Sequence, residues 1–182
     1  MGSSARRWIL DPIDGTVNFV AGNPGWGTHI ALESDGEIVL GVITRPVLGA
    51  CWWAARGVGA YRIDSDSPPE GTRLRVSRRT ELAQSRVTVW AQPNPLTERV
   101  RRRAAWVEPH IDNILGLVEG EVEAVVDAIG EPWDHAPRVI LVTEAGGRFR
   151  DQDGGRRLDQ KLGIYTNGCI DEQLDLLLAG AT

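Results

Sequence analysis

The chain has 182 residues, 42% of them apolar, and a formal net charge of −5. That length suits one domain with a real core, and the acidic balance argues against a general nucleic-acid-binding role. No run approaches the ~20 apolar residues that cross a bilayer, and two distant cysteines, Cys51 and Cys169, form neither a metal spacing nor a disulfide framework, so a cytoplasmic location is the expectation.

Taken in order, Arg7–Leu10 reads as a buried strand that delivers the stretch Asp11-Pro12-Ile13-Asp14-Gly15-Thr16. Two carboxylates three residues apart leave one tight turn, and an ionised pair repels itself unless a cation sits between its members. Hard oxygen ligands of this kind suit Mg²⁺ with retained waters and a substrate phosphate. Pro12 stiffens the turn, Gly15 admits a ligand close to the backbone, and the Thr16 hydroxyl can orient a water. Taken alone, an arbitrary Asp-x-x-Asp-Gly run reads better as a turn with solvated aspartates.

Val17–Ala21 reads as a helical turn, Trp26–Glu33 as a strand, Asp35-Gly36 as a hairpin turn and Ile38–Thr44 as the return strand. Ala50–Ala54 and the Gly-bounded hairpin Arg56–Tyr61 continue an antiparallel meander, and residues 64–72 form an exposed loop. Leu74–Val76 and Val87–Val89 are strand candidates, Leu96–Trp106 a charged amphipathic helix and Ile111–Val118 an apolar one. Arg101-Arg102-Arg103 reads as a solvated helix face. Val122–Val126 predicts a strand, then a helix over Trp133–Ala145 with Pro132 at its start and Gly146-Gly147 at its stop. Pro137 is tolerable near the first turn. Strands at Arg148–Arg150 and Gly163–Thr166 and a closing helix over Ile170–Leu178 complete an α+β or layered α/β domain.

The hexapeptide resembles the first signature of the inositol monophosphatase family, and Trp133-Asp134 followed by Glu144-Ala145-Gly146-Gly147 resembles the second. The resemblance runs from about Arg7 to Leu178. It implies a layered α-β-α-β-α fold and Mg²⁺-dependent hydrolysis of a small phosphate monoester, histidinol phosphate or an inositol monophosphate, by a homodimer. It assigns the metal to Asp11, the Ile13 carbonyl, Asp14 and Asp134, the phosphate to Gly15 and Thr16, and catalysis to Asp11, Asp14 and Thr16. Asp134 and Asp127 are the implied substrate contacts, although Asp127 reads equally as a strand-end turn residue and Asp134, taken alone, reads better as a helix cap. Glu108-Pro109-His110 departs from the hydroxyl-bearing pattern common there. Trp52-Trp53-Ala54-Ala55-Arg56-Gly57 is similar to the corresponding stretch of histidinol-phosphate phosphatases and tips the expectation toward that substrate. Family members carry a segment before the first signature that holds helices and a metal-binding Glu pair, and no Glu precedes Asp11 here. The resemblance therefore implies an N-terminally truncated fold with a bare sheet face. The alternative to an active phosphatase is a non-catalytic metal- and phosphate-binding fragment.

Overall fold

The computed structural model describes residues 5–91 and 95–180. Six strands follow one another as an antiparallel sheet: β1 (Arg6–Asp14), β2 (Gly27–Ser34), β3 (Glu37–Arg45), β4 (Ala50–Ala55), β5 (Gly59–Ile63) and β6 (Thr72–Arg73). The β2–β3 connection is the expected two-residue turn. Asp35 (φ 54°) and Gly36 (φ 81°) both adopt the left-handed conformation that matches the strand twist.

The second sheet contains β7 (Arg86–Trp90), β8 (Ala105–Trp106), β9 (Ala124–Asp127), β10 (Arg148–Asp151) and β11 (Gly163–Thr166), in the order β10-β11-β9-β7-β8. It is parallel where β7 meets β8 and β9, and antiparallel elsewhere. The helices are α1 (Thr16–Val20), α2 (Pro95–Arg103), α3 (Asn113–Val118), α4 (Pro132–Glu144) and α5 (Asp171–Leu178).

Helices α3 and α4 fill the space between the sheets. Leu115, Leu117, Ile140 and Leu141 pack there with Ile43, Trp52 and Ala54 of the first sheet and Val125, Phe149 and Tyr165 of the second. Gly41 lets α4 settle onto β3. A Cβ at that position would stand 2.4 Å from Ile140 Cγ2 and 2.9 Å from the Pro137 carbonyl oxygen. The far side of the second sheet is covered by α2 and α5, through Val100, Ile170, Leu174 and Leu177. The described residues thus stack as β-α-β-α, four layers of the expected order.

Several expectations need correction. Arg7–Leu10 is not buried: Trp8 is 58% and Leu10 55% exposed. They lie on the sheet face opposite α4, in register with Leu32 and Ile30 of β2. That face continues through Val42 to the stacked rings of Trp53 and Tyr61. The strand also runs on through Asp14 instead of ending at Leu10. The helix expected over Leu96–Trp106 stops at Arg103, because Ala105 and Trp106 gain backbone partners alongside Arg86 and Val87. At Leu74–Val76 there is no strand; Thr72 and Arg73 make the pairing with β5. Pro137 sits in the second turn of α4, beyond the first turn where it costs nothing. Among the described residues no helix is long and apolar enough to cross a membrane.

Candidate active site

The β1–β2 register explains how the acidic turn is aimed. Asp11 pairs with His29 and Asp14 with Gly27, so two residues, Pro12 and Ile13, bulge opposite Thr28. The bulge is pinned by local hydrogen bonds. Thr28 Oγ1 donates to the Pro12 carbonyl at 2.9 Å, Ile13 N to Asp11 Oδ1 at 3.0 Å, and Thr16 Oγ1 to the Ile13 carbonyl at 3.0 Å. Gly15 then turns the chain with φ +76°, where any Cβ would meet the Gly25 carbonyl oxygen at 2.5 Å.

The bulge drives Asp14 inward, to 7% exposure. Its Oδ2 lies 3.0 Å from His29 Nε2 and 3.3 Å from Arg45 Nη2, and its Oδ1 lies 3.8 Å from Arg138 Nη2. Burial alone would raise this carboxyl, but His29 foremost, then Arg138 and Arg45, hold it down to about 2. Asp11 shifts the other way: its partial burial, and the neighbouring charges of Asp14 and Asp134, raise it. His29 is pushed down, chiefly by burial.

Arg45 is itself buried, and its Nε donates to Asp112 Oδ1 at 2.6 Å. Gly27 gives it room, since a Cβ there would fall 2.4 Å from Arg45 Nη1. Asp134 occupies the first turn of α4, where Glu131 N donates to its Oδ2 at 2.9 Å and leaves Oδ1 available. One turn later Arg138 donates from Nη1 to Asp127 Oδ2 at 2.8 Å. The other Asp127 oxygen accepts from Ile129 N and Gly130 N, so three donors already hold that carboxylate.

Of these groups, Asp14, Asp127, Asp134 and Arg138 border a cavity of about 330 Å³, at the lower end of the ~300–1,000 Å³ typical of small-ligand sites. Asp14, Gly15, Thr16, Asn18, His110, Asp127, Asp134 and Arg138 supply its polar side, and Trp90, Ile111, Ile114 and Ile129 an apolar wall. Asp14, His29 and Asp134 each bring a donor atom within 4.8 Å of the other two. That spacing and donor chemistry fit a divalent cation. Asp11 and Ile13 do not line the cavity: Asp11 is paired with His29 just before the bulge, and Ile13 lies in it.

The sequence expectation therefore placed five of its site residues on the cavity itself. It missed Arg45 and Arg138 and took His29 for a strand residue only. Arg138 had a signal, four positions after Asp134 on one helix face; Arg45 and His29 had none. His135 belongs to the core: its Nδ1 shares a 2.6 Å hydrogen bond with the Tyr165 hydroxyl.

The sequence profile described as the inositol monophosphatase family matches residues 1–181. The chain belongs to this family. A Streptomyces griseus protein named glucose-1-phosphate thymidylyltransferase is 46% identical over 97% of this chain and 69% of its own length. A histidinol-phosphatase of Mycobacterium tuberculosis is 39% identical over 97% of this chain and 71% of its own. The structure of an inositol monophosphatase from Anabaena superposes with a TM-score of 0.86 at 25% identity, covering 98% of this chain and 75% of that one. The layered family fold expected from the two signatures is thus the fold of this chain, and its type is that of a phosphoric monoester hydrolase.

Proposed function

We propose that the chain hydrolyses a small phosphate monoester with Mg²⁺, and that histidinol phosphate is the better substrate. The observation that carries this reading is the pairing of a buried carboxylate cluster with an apolar wall in one cavity. Asp11, the Ile13 carbonyl, Asp14 and Asp134 would hold the ion. When bound, a divalent cation there polarises the phosphoryl oxygens and makes water a better nucleophile.

The chain's own groups do the rest. Gly15 and Thr16 border the cavity where the phosphate would lie. The Thr16 hydroxyl proton is committed to the Ile13 carbonyl, so its oxygen accepts. A water that donates to Thr16 turns a lone pair toward phosphorus. Arg138, held by Asp127, keeps a fixed positive charge beside the cavity. We read the protein as a cytoplasmic homodimer, and the free state of Cys51 and Cys169 is in keeping with a reducing compartment.

The wall favours an aromatic or apolar substrate body. Trp90 donates its Nε1 to Asn113 Oδ1 at 3.2 Å, and Ile111, Ile114 and Ile129 offer no partner to hydroxyls. An inositol ring would bury hydroxyls there unsatisfied. The expected result is a kcat/KM for histidinol phosphate at least ~10-fold above that for inositol 1-phosphate, a difference of ~1.4 kcal/mol. The reverse ratio contradicts the substrate assignment. A second reading, a phosphate- and metal-binding protein without turnover, draws support from the two guanidinium groups that already face Asp14. It predicts phosphate binding with no release from either ester.

A further inference from the structure

His29 has no place in the mechanism above, yet its environment is unlike that of a core histidine. It is 0% exposed, and neither ring nitrogen has a hydrogen-bond partner among the described residues. Nε2 nevertheless lies 3.0 Å from Asp14 Oδ2. The approach is close but not aligned as a hydrogen bond. Buried polar groups left in this way call for an unseen partner.

Two ligands of one ion have this relation to each other. With metal–ligand bonds of ~2.1 Å, adjacent ligands of an octahedral ion stand ~3 Å apart and do not point at one another. Asp134 brings its donor atom within 4.8 Å of both. The fold builds the pair deliberately. His29 is the cross-strand partner of Asp11, and the bulge that follows turns Asp14 back toward it. Charge leaves room for a cation. Asp11, Asp14, Asp112, Asp127 and Asp134 carry five negative charges against the two of Arg45 and Arg138, and three remain.

Resting on the reading of this cavity as a divalent metal site, we propose that His29 Nε2 is a metal ligand, completing with Asp14 and Asp134 a mixed nitrogen and oxygen set. An imidazole in the ligand set favours first-row transition ions over Mg²⁺, which prefers oxygen throughout. The site would then prefer Mn²⁺ to Mg²⁺ by more than a carboxylate-only site does.

The test uses the metal alone. Mn²⁺ is titrated into the full metal-free chain, its binding read from loss of the free-ion EPR signal, with Mg²⁺ as competitor. Pulsed EPR on the bound Mn²⁺ then reads ¹⁴N coupling directly and needs no variant. The expected result is a ¹⁴N coupling in the wild type, together with a Mn²⁺/Mg²⁺ affinity ratio that falls at least ~10-fold in His29→Leu and in His29→Gln. Circular dichroism identifies whichever variant is folded. Absence of Mn²⁺ binding, absence of ¹⁴N coupling, or an unchanged ratio in a folded variant overturns the assignment. Phosphate release supported by Mg²⁺ without ¹⁴N coupling removes His29 as a ligand and leaves the phosphatase reading standing. Coupling without phosphate release does the opposite.

Discussion

Arg45→Met is expected to cost the metal-free chain ~3–5 kcal/mol, the range seen when one member of a buried ion pair is removed. Arg45 is 1% exposed, and its guanidinium spans two carboxylates, Asp112 through Nε and Asp14 through Nη2, while Nη1 donates to the Thr44 carbonyl. Methionine fills a similar volume, so the loss reports charge and not a cavity. Asp112 is partly solvated and can recover water, whereas Asp14 is enclosed and cannot. Urea unfolding with and without Mg²⁺ is the measurement. A large loss, reduced when the ion is present, is the expected pattern, because the cation takes over part of the charge that Arg45 supplied. A loss under ~1 kcal/mol would show that Arg45 does not hold the acidic cluster together.

Asp14→Asn is expected to lower Mg²⁺-dependent phosphate release by more than ~10²-fold. Asp14 is the carboxylate on which His29, Arg45 and Arg138 converge, and it is one of the groups that would bind the ion. A neutral amide keeps the shape but gives up the charge that attracts the metal, and several kcal/mol of transition-state stabilisation go with it. The same substitution should also change acid stability. The folded carboxyl titrates at about 2, below its unfolded value of 3.8. The unfolded chain therefore binds more protons between those limits, and the group's contribution is present above pH ~4 and lost as the pH falls toward 2. At ~1.4 kcal/mol for each pH unit of separation, that contribution is ~2 kcal/mol in the metal-free chain. Acid unfolding of Asp14→Asn should lack this portion of the pH dependence. An identical acid transition in both chains would mean that Asp14 is not held ionised by His29, Arg138 and Arg45.

What was legible from sequence, and what was not, follows from the range of the interactions. The turn from Asp11 to Thr16 is shaped by bonds between residues two or three apart, so the hexapeptide could be read directly. The α4 helix is bounded by Pro132 and by Gly146, whose φ is +91°, both local signals. His29 and Arg45 became site residues only through register: which β2 residue faces Asp11, and which end of β3 reaches Asp14, are fixed by the bulge and hairpin pairing. The helix expected to run to Trp106 had the right amphipathic pattern. It yielded to β7, whose edge offered Ala105 and Trp106 parallel pairing. The exposure of Trp8 and Leu10 was also hidden, since an apolar run reads as buried whether or not a neighbour covers it.

The most direct test of the phosphatase reading is phosphate release by the purified chain from histidinol phosphate, first stripped of metal with a chelator and then resupplied with Mg²⁺, with Asp14→Asn in parallel. Release that disappears on stripping, returns with Mg²⁺ and stays absent in Asp14→Asn is the predicted result. A folded wild-type chain that releases no phosphate with Mg²⁺ restored, or one whose release is indifferent to both the chelator and the substitution, would contradict it.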